Sequence, residues 1–217
     1  MKNIIQNIRR LFFDNSCTCC GEKASDNLIY LCYNCLDKIV RQKSLNKVGD
    51  TYYIWPYKGE FRKLLLEYKN NSRLALGKII SSLIEEEIFK VVYEEDIDYI
   101  VPIPINFRRE QIRGFNQVEE ILKNLNYSFL KTNRVKNTKK MFKLLDKEKR
   151  ENNIKNSFKV DKEFKAKNIL IFDDIITTGA TIEEFKRELI KNGEVNKIVV
   201  FSLSASKTYM NSNKRMC

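Results

Sequence analysis

Apolar residues follow two different spacings along this chain. In residues 74–92 they recur every three to four positions, which is typical of a helix with one buried face. In residues 169–172 they form a short unbroken run, which favours a strand buried in a sheet. These spacings predict helices over residues 2–13, 61–69, 74–92, 117–125 and 181–191, and strands over residues 51–57, 99–101, 169–172 and 197–203. The residues after Ser204 are expected to form a frayed tail.

The order of these segments indicates the fold class. A strand that ends near residue 172, a helix, and a second strand near residue 200 form a βαβ unit, and such units build parallel sheets. We therefore expect an α/β fold with a mostly parallel sheet flanked by helices and a small N-terminal module. A polar link before residue 51 marks the expected boundary, with the module in residues 1–50 and the main domain in residues 51–217.

The balance of charges is strongly basic and uneven. Among 217 residues, 40 Lys or Arg stand against 28 Asp or Glu, and the net charge of +12 favours polyanions as partners. Residues 131–155 alone hold ten basic and three acidic residues. On charge alone, a solvated surface segment is the simpler interpretation. The alternative is a contact with single-stranded DNA through Lys139, Lys140, Lys143, Lys147 and Arg150.

The chain carries no pattern for membrane insertion. No apolar run approaches the roughly 18 residues that a membrane span needs, and Arg9 and Arg10 interrupt the apolar start, unlike a signal peptide. A cytoplasmic location is therefore expected. In that reducing compartment the six cysteines are expected to be metal ligands or free thiols and not disulfides.

Four of the cysteines form two C-x₂-C pairs. Cys17 with Cys20 and Cys32 with Cys35 are separated by 11 residues, which is close to the spacing of structural zinc sites. Four sulfur ligands would make a closed Zn²⁺ site with a structural role. Cys19 competes with Cys17 or Cys20 for the metal in this pattern. The alternative without metal is a small core of four reduced thiols.

The segment from residue 172 to residue 181 carries the strongest chemical pattern. A buried strand ends in Asp173 and Asp174, and a Thr/Gly-rich loop leads into the next helix. Ligands in open α/β sheets bind beyond the carboxyl ends of the strands, and Gly179 lets the loop backbone approach a phosphate closely. Carboxylates suit sugar hydroxyls or a divalent cation. The predicted ribose-phosphate site consists of Asp173, Asp174, Ile176, Thr177, Thr178, Gly179, Ala180 and Thr181.

Three other interpretations of this loop are weaker. A P-loop nucleotidase would need a G-x-x-x-x-G-K-[ST] motif, and a dinucleotide site would need G-x-G-x-x-G after the first strand. The chain contains neither motif. A simple turn with a helix cap is the third interpretation, but it gives the paired acids at the strand end no role.

The loop resembles the signature of type I phosphoribosyltransferases, and other segments extend the resemblance. Residues 101–104, 113–117 and 150–158 follow in the order seen in the ComF/GntX family, the competence-associated members of that fold. That family commonly carries an N-terminal four-cysteine zinc module, which agrees with the cysteine pairs. The resemblance therefore covers nearly the whole chain.

This resemblance implies roles for individual residues. The loop would hold the ribose 5′-phosphate of phosphoribosyl pyrophosphate, which binds together with Mg²⁺. Asp173, Asp174 and Arg113 would be the catalytic residues, and Arg113 would reach the pyrophosphate. A plain surface turn at Arg113-Gly114 is the alternative for that arginine.

The resemblance also implies a biological role. Family members serve DNA uptake and natural transformation, which favours a protein that binds phosphoribosyl pyrophosphate and single-stranded DNA. Competence helicase or recombination proteins are the expected protein partners. The alternative is an active phosphoribosyltransferase with an unidentified nucleobase or related acceptor.

Two positions depart from the family pattern. Glu67 stands where the family usually has Lys, so we expect either that Lys69 supplies that cation instead or that this chain binds phosphate more weakly. Met141 or Phe142 falls where a Gln is common. The first departure replaces a positive charge by a negative one, and it bears directly on how a phosphate would be held.

Overall fold

The computed structural model describes residues 16–70, 73–135, 155–160 and 164–213. The helices in these ranges are α1 (Tyr33–Arg41), α2 (Gly59–Asn70), α3 (Leu74–Glu94), α4 (Phe107–Arg113), α5 (Gln117–Asn124), α6 (Ala180–Lys191) and α7 (Lys207–Asn213). The strands are β1 (Asn46–Val48), β2 (Thr51–Pro56), β3 (Tyr99–Pro102), β4 (Asn133–Arg134), β5 (Phe158–Lys159), β6 (Phe164–Ile176) and β7 (Gly193–Ala205). None of these described helices combines the length and the apolar composition that a membrane crossing needs.

Five strands form one sheet in the order β1-β2-β7-β6-β3. Strands β2, β7, β6 and β3 run parallel to one another, and β1 pairs with β2 in the antiparallel direction. Strands β4 and β5 form a separate two-stranded ladder. The carboxyl ends of the four parallel strands therefore meet at one edge of the sheet, where ligands of open α/β folds bind.

Successive residues of the central strand β6 face opposite sides of the sheet. Leu170 and Phe172 belong to a buried cluster that includes residues of α1, α2, α3 and α5. Ile169 and Ile171 belong to a second buried cluster with Phe185 of α6. Helices therefore cover both faces of the sheet, which explains why residues 169–172 of the strand are apolar at every position. This arrangement confirms the expected α/β fold with a mostly parallel sheet.

The cysteine-bearing residues pack against the sheet domain. Cys35 and Ile39 of α1 share a buried cluster with Trp55 of β2 and Phe61 of α2. Trp55 Nε1 also donates a hydrogen bond to the Ile39 carbonyl at 2.9 Å. The N-terminal module is thus joined to the main core by burial of apolar side chains. The domain boundary at residue 50 stays a prediction.

Most of the predicted elements are present, but two expectations need comment. The prediction of a frayed tail after Ser204 is wrong, because β7 continues to Ala205 and α7 follows it. Ser206 caps this helix, since its hydroxyl accepts a hydrogen bond from the Tyr209 amide at 3.2 Å. The helix predicted over residues 2–13 lies outside the described residues.

Candidate functional site

The Thr/Gly loop joins the end of β6 to the start of α6, at the edge where the parallel strands end. Gly179 has a left-handed backbone with φ +82°, which glycine adopts without a steric penalty. Within the described residues, the amides of residues 177–181 take part in no hydrogen bond, and the buried Thr178 hydroxyl has no partner. Unpaired donors at the N-terminus of a helix can bind an anion such as a phosphate.

Asp174 is buried, and its carboxylate has two partners from distant helices. Lys69 Nζ of α2 lies 2.8 Å from Asp174 Oδ2. Gln117 Nε2 of α5 donates a short hydrogen bond to the same oxygen. The side chains of Lys69 and Asp174 are only 14% and 7% exposed, so the charges are shielded from water. Loss of Lys69 would leave an uncompensated buried charge on Asp174.

Asp173 shares this environment with its neighbour. The Asp174 amide donates to Asp173 Oδ1 at 2.8 Å. Burial, and then the negative charge of Asp174, raise the pKa of Asp173 above its ordinary value, while Lys69 and Arg134 act in the opposite direction. The Asp174 carboxylate is therefore already paired with Lys69, whereas the protonation of Asp173 depends on the charged groups around it. Asp173 is the carboxylate that remains for a bound cation or a sugar hydroxyl.

Three arginines surround the aspartate pair. Arg113 Nη1 donates to Gln117 Oε1 at 2.6 Å, so Gln117 links Arg113 to Asp174. Burial lowers the pKa of Arg109 and of Arg113, and the charge of Asp174 partly offsets this. Burial, and then the nearby Arg109, lower the pKa of Arg134 to about 10. Positive charge therefore lies close to both carboxylates.

The chain turns at Gly114 directly after Arg113, as the surface-turn alternative requires, but the Arg113 side chain contacts Gln117. Gly114 ends α4 with a left-handed backbone at φ +80°. The Arg113 guanidinium contacts Gln117 instead of pointing away from the sheet. The structure thus brings together Arg113, Asp173 and Asp174, the three residues predicted as catalytic, while their chemical role stays a prediction.

The structure also places two further basic residues, Lys69 and Arg134, beside the aspartate pair. Lys69, the expected substitute at the Glu67 position, pairs with Asp174, whereas Glu67 lies 3.6 Å from Arg73 Nη1. Arg134 was missed. It reaches the site through the two-residue strand β4, where it pairs with Phe158 and its guanidinium lies 5.2 Å from the centre of that ring.

The cysteine pairs meet in space. The sulfur atoms of Cys17, Cys20, Cys32 and Cys35 all lie within 4.8 Å of one another, and those of Cys20 and Cys32 are 3.7 Å apart. Tetrahedral Zn–S bonds of about 2.3 Å place sulfur atoms about 3.8 Å apart. Burial alone would raise the pKa of Cys17, but backbone hydrogen bonds outweigh it and lower that pKa to about 6, towards the thiolate that metals bind. The cluster therefore fits a metal such as zinc.

Cys19 does not belong to this cluster. Its thiol donates to the Glu60 carbonyl at 3.4 Å, and its own carbonyl accepts from Lys63 Nζ at 2.6 Å. Both partners lie on α2, the helix that also carries Lys69. The possible competition between Cys19 and its neighbours is therefore resolved in favour of Cys17 and Cys20, and Cys19 ties the cluster to the helix that reaches the aspartate pair.

The five candidate DNA contacts cannot be placed relative to this site. Lys139, Lys140, Lys143, Lys147 and Arg150 all lie outside the described residues. The residues on both sides of that segment are held by the β4–β5 ladder, in which Arg134 pairs with Phe158. Contact with single-stranded DNA stays a prediction.

Comparison with known proteins agrees with the residue pattern. The family model of PRTase-CE matches residues 58–216, which include the aspartates and the loop. DNA utilization protein YhgH of Escherichia coli is 26% identical over 186 residues, or 82% of this chain and 78% of that relative. Competence protein F of Haemophilus influenzae is 27% identical over 202 residues, or 85% and 83%. Competence protein ComFC of Streptococcus pneumoniae is 31% identical over 161 residues, or 69% and 66%.

Proposed function

The chain belongs to the PRTase-CE family, and from this premise we propose that it is a ComF-type protein of DNA uptake that binds phosphoribosyl pyrophosphate or ribose 5-phosphate. The ComF-type relationship expected from the sequence motifs is confirmed by these relatives. The ligand is our proposal, and the observation that carries it is the loop of unpaired amides beyond β6.

The loop supports a sugar phosphate because its donors match the shape and charge of a phosphoryl group. The amides of residues 177–181 and the Thr178 hydroxyl lack partners among the described residues. Such donors at a helix N-terminus bind phosphate oxygens. A buried hydroxyl without a partner is unfavourable in the free protein, so a ligand that accepts its hydrogen bond gains affinity.

The surroundings of the loop support a ligand that carries more than one phosphate. Lys69 and the three arginines outnumber the carboxylates of Asp173 and Asp174 by two charges. An excess of buried positive charge favours a polyanion. Asp173 is the carboxylate that would face a ribose hydroxyl or the Mg²⁺ that accompanies a pyrophosphate, since Asp174 is paired with Lys69.

The guanidinium groups also favour a second candidate, transfer of the phosphoribosyl group to an unidentified acceptor. Positive groups beside a departing pyrophosphate stabilise the charge that develops on it. Arg109, Arg113 and Arg134 all interact electrostatically with the aspartate pair, which supports this candidate. Release of pyrophosphate in the presence of a nucleobase would distinguish an enzyme from a binding protein.

Replacement of Gly179 by alanine is expected to reduce the thermal stabilisation that phosphoribosyl pyrophosphate and Mg²⁺ give to the wild type. The left-handed backbone costs a residue with a side chain about 1–2 kcal/mol, so the present shape of the loop becomes roughly 5- to 30-fold less populated. Ligand that binds the native state raises the unfolding midpoint. Gly49→Ala is the matched control, because Gly49 also has a left-handed backbone, at φ +59°, but lies in the turn between β1 and β2. Equal ligand-induced shifts in both variants would argue against the loop as the site.

Single-stranded DNA binding by the basic segment is the second part of the proposal. It rests on the net charge of +12 and on relatives named for competence and DNA utilization. Each phosphate contact releases counterions, so the logarithm of the affinity should fall by about 0.7 per contact for each unit of log salt. Fluorescence titration of a labelled oligonucleotide at several salt concentrations measures this slope. A salt-independent affinity would contradict the electrostatic mechanism.

A further inference from the structure

The helix α7 contacts the loop that we propose binds phosphate, although the sequence predicted no structure there. The Ser206 amide donates to the Ile176 carbonyl at 2.9 Å, and the Ser206 hydroxyl donates to the Thr177 carbonyl at 2.6 Å. These two hydrogen bonds fix the carbonyls at the start of the loop. The residue that caps α7 is therefore the same residue that holds the loop.

Tyr209, one turn further along α7, contacts the other end of the loop. A Cβ atom added to Gly179 would lie 3.4 Å from Tyr209 Cε2, so the edge of the ring lies directly beside the glycine. The ring also packs against the buried cluster that contains Ile176 and Ile182. These contacts thus set the position of the ring.

The loop needs such external support because it has few hydrogen bonds of its own. Its amides lack partners among the described residues, and the Gly179 carbonyl accepts from the Glu183 amide at 2.9 Å. Glycine also gives the backbone more freedom than any other residue does. Without neighbours that restrict it, the loop would spend much of its time in shapes that do not present its donors to one ligand.

We propose that Ser206 and Tyr209 are positioning residues that keep the loop in the shape that receives a sugar phosphate. This inference rests on the proposed ribose-phosphate site. The affinity of a ligand falls in proportion to the fraction of molecules in the binding-competent shape. By thermodynamic linkage, a ligand bound at the loop must in turn restrain α7.

The test is the dissociation constant for ribose 5-phosphate, measured by calorimetry on the full chain. Tyr209→Ala is expected to weaken binding about tenfold, which corresponds to one tenth of the molecules keeping a competent loop. Tyr209→Phe is expected to bind as the wild type does, because the ring edge and not the hydroxyl contacts Gly179. Tyr93→Ala removes an aromatic ring that is 77% exposed on α3, and it serves as the control with unchanged affinity.

Hydrogen–deuterium exchange supplies a second readout. In ligand-free Tyr209→Ala, the amides of Glu183 and Ser206, which donate to the Gly179 and Ile176 carbonyls of the loop, should exchange faster than in the wild type, while the strands of the sheet exchange as before. Ribose 5-phosphate should slow exchange in α7 of the wild type, which a purely structural role for that helix would not require.

These measurements distinguish failure of the proposed function from failure of the positioning role of Ser206 and Tyr209. Absence of ribose 5-phosphate binding in the wild type would overturn the proposed function, whereas equal affinity of wild type and Tyr209→Ala would overturn this inference alone. If Tyr209→Ala does not fold, Ser206→Ala takes its place, because it removes the hydrogen bond to the Thr177 carbonyl. Wild-type affinity and wild-type loop exchange in Ser206→Ala would equally overturn the inference.

Discussion

Replacement of Cys35 by serine is expected to remove the bound metal and to unfold the N-terminal module. Cys35 is 2% exposed and lies in the cluster of four sulfur atoms. The binding free energy of a structural zinc site is on the order of 10 kcal/mol, and it is part of the folding free energy. Residues 16–41 contain one helix, α1, and a segment of this size is too short to build a sufficient core of its own, so it depends on such a metal.

Cys19→Ser provides the matched control for this experiment. Cys19 is also buried, at 5% exposed, but its thiol contacts the Glu60 carbonyl and not the cluster. Elemental analysis should find one zinc per chain in the wild type and in Cys19→Ser, and none in Cys35→Ser. Thermal unfolding should show a large loss of stability in Cys35→Ser. A Cys35→Ser protein that keeps its zinc and its melting temperature would rule out the predicted ligand set.

Replacement of Lys69 by methionine is expected to lower the free energy of unfolding by about 3 kcal/mol, the cost of leaving a buried charge without its partner. Asp174, only 7% exposed, would keep the hydrogen bond from Gln117 but lose the ammonium at 2.8 Å. Methionine preserves most of the length of the lysine side chain, so packing changes little. Urea unfolding of both proteins measures the difference.

Lys186→Met separates the effect of burial from the effect of losing a lysine. Lys186 is 15% exposed, as Lys69 is 14% exposed, and it lies 2.7 Å from Asp50 and 3.2 Å from Glu183. The Asp50 side chain is 48% exposed, so water solvates it once the lysine is gone and the cost should be less than about 1 kcal/mol. If both variants lose the same free energy, the Lys69–Asp174 pair has no special role. The double variant Lys69→Met with Asp174→Asn should recover stability relative to Lys69→Met.

The sequence predicted those parts of the molecule whose signals are local. The apolar run before Asp173 and the glycine of the loop both act within a few residues, so the strand, the loop and the helix after it could be found without a structure. The paired spacing of Cys17, Cys20, Cys32 and Cys35 is a local signal of the same kind. All of these residues lie where the patterns place them.

The remaining features depend on contacts between distant segments. Lys69 and Asp174 meet because α2 packs beside the carboxyl end of β6, and nothing in either segment specifies the other. Arg134 lies near Asp173 because the two-residue strand β4 pairs with β5. A strand of two residues is too short to produce a recognisable pattern in the sequence. The helix α7 has no apolar stripe of the usual kind, and it depends on the Ser206 cap and on the contact of Tyr209 with the loop.

The central claim is that the loop beyond β6 binds a sugar phosphate. Calorimetric titration of the wild type and of Thr178→Val with ribose 5-phosphate tests this claim most directly. The wild type should bind one ribose 5-phosphate per chain and should not bind ribose that lacks the phosphate. Thr178→Val should bind about tenfold more weakly, since a hydrogen bond to a charged group contributes about 1.5 kcal/mol. The variant should not be less stable, because its hydroxyl is buried without a partner among the described residues. No heat of binding from the wild type at millimolar ligand, or equal affinity for ribose alone, would contradict the account.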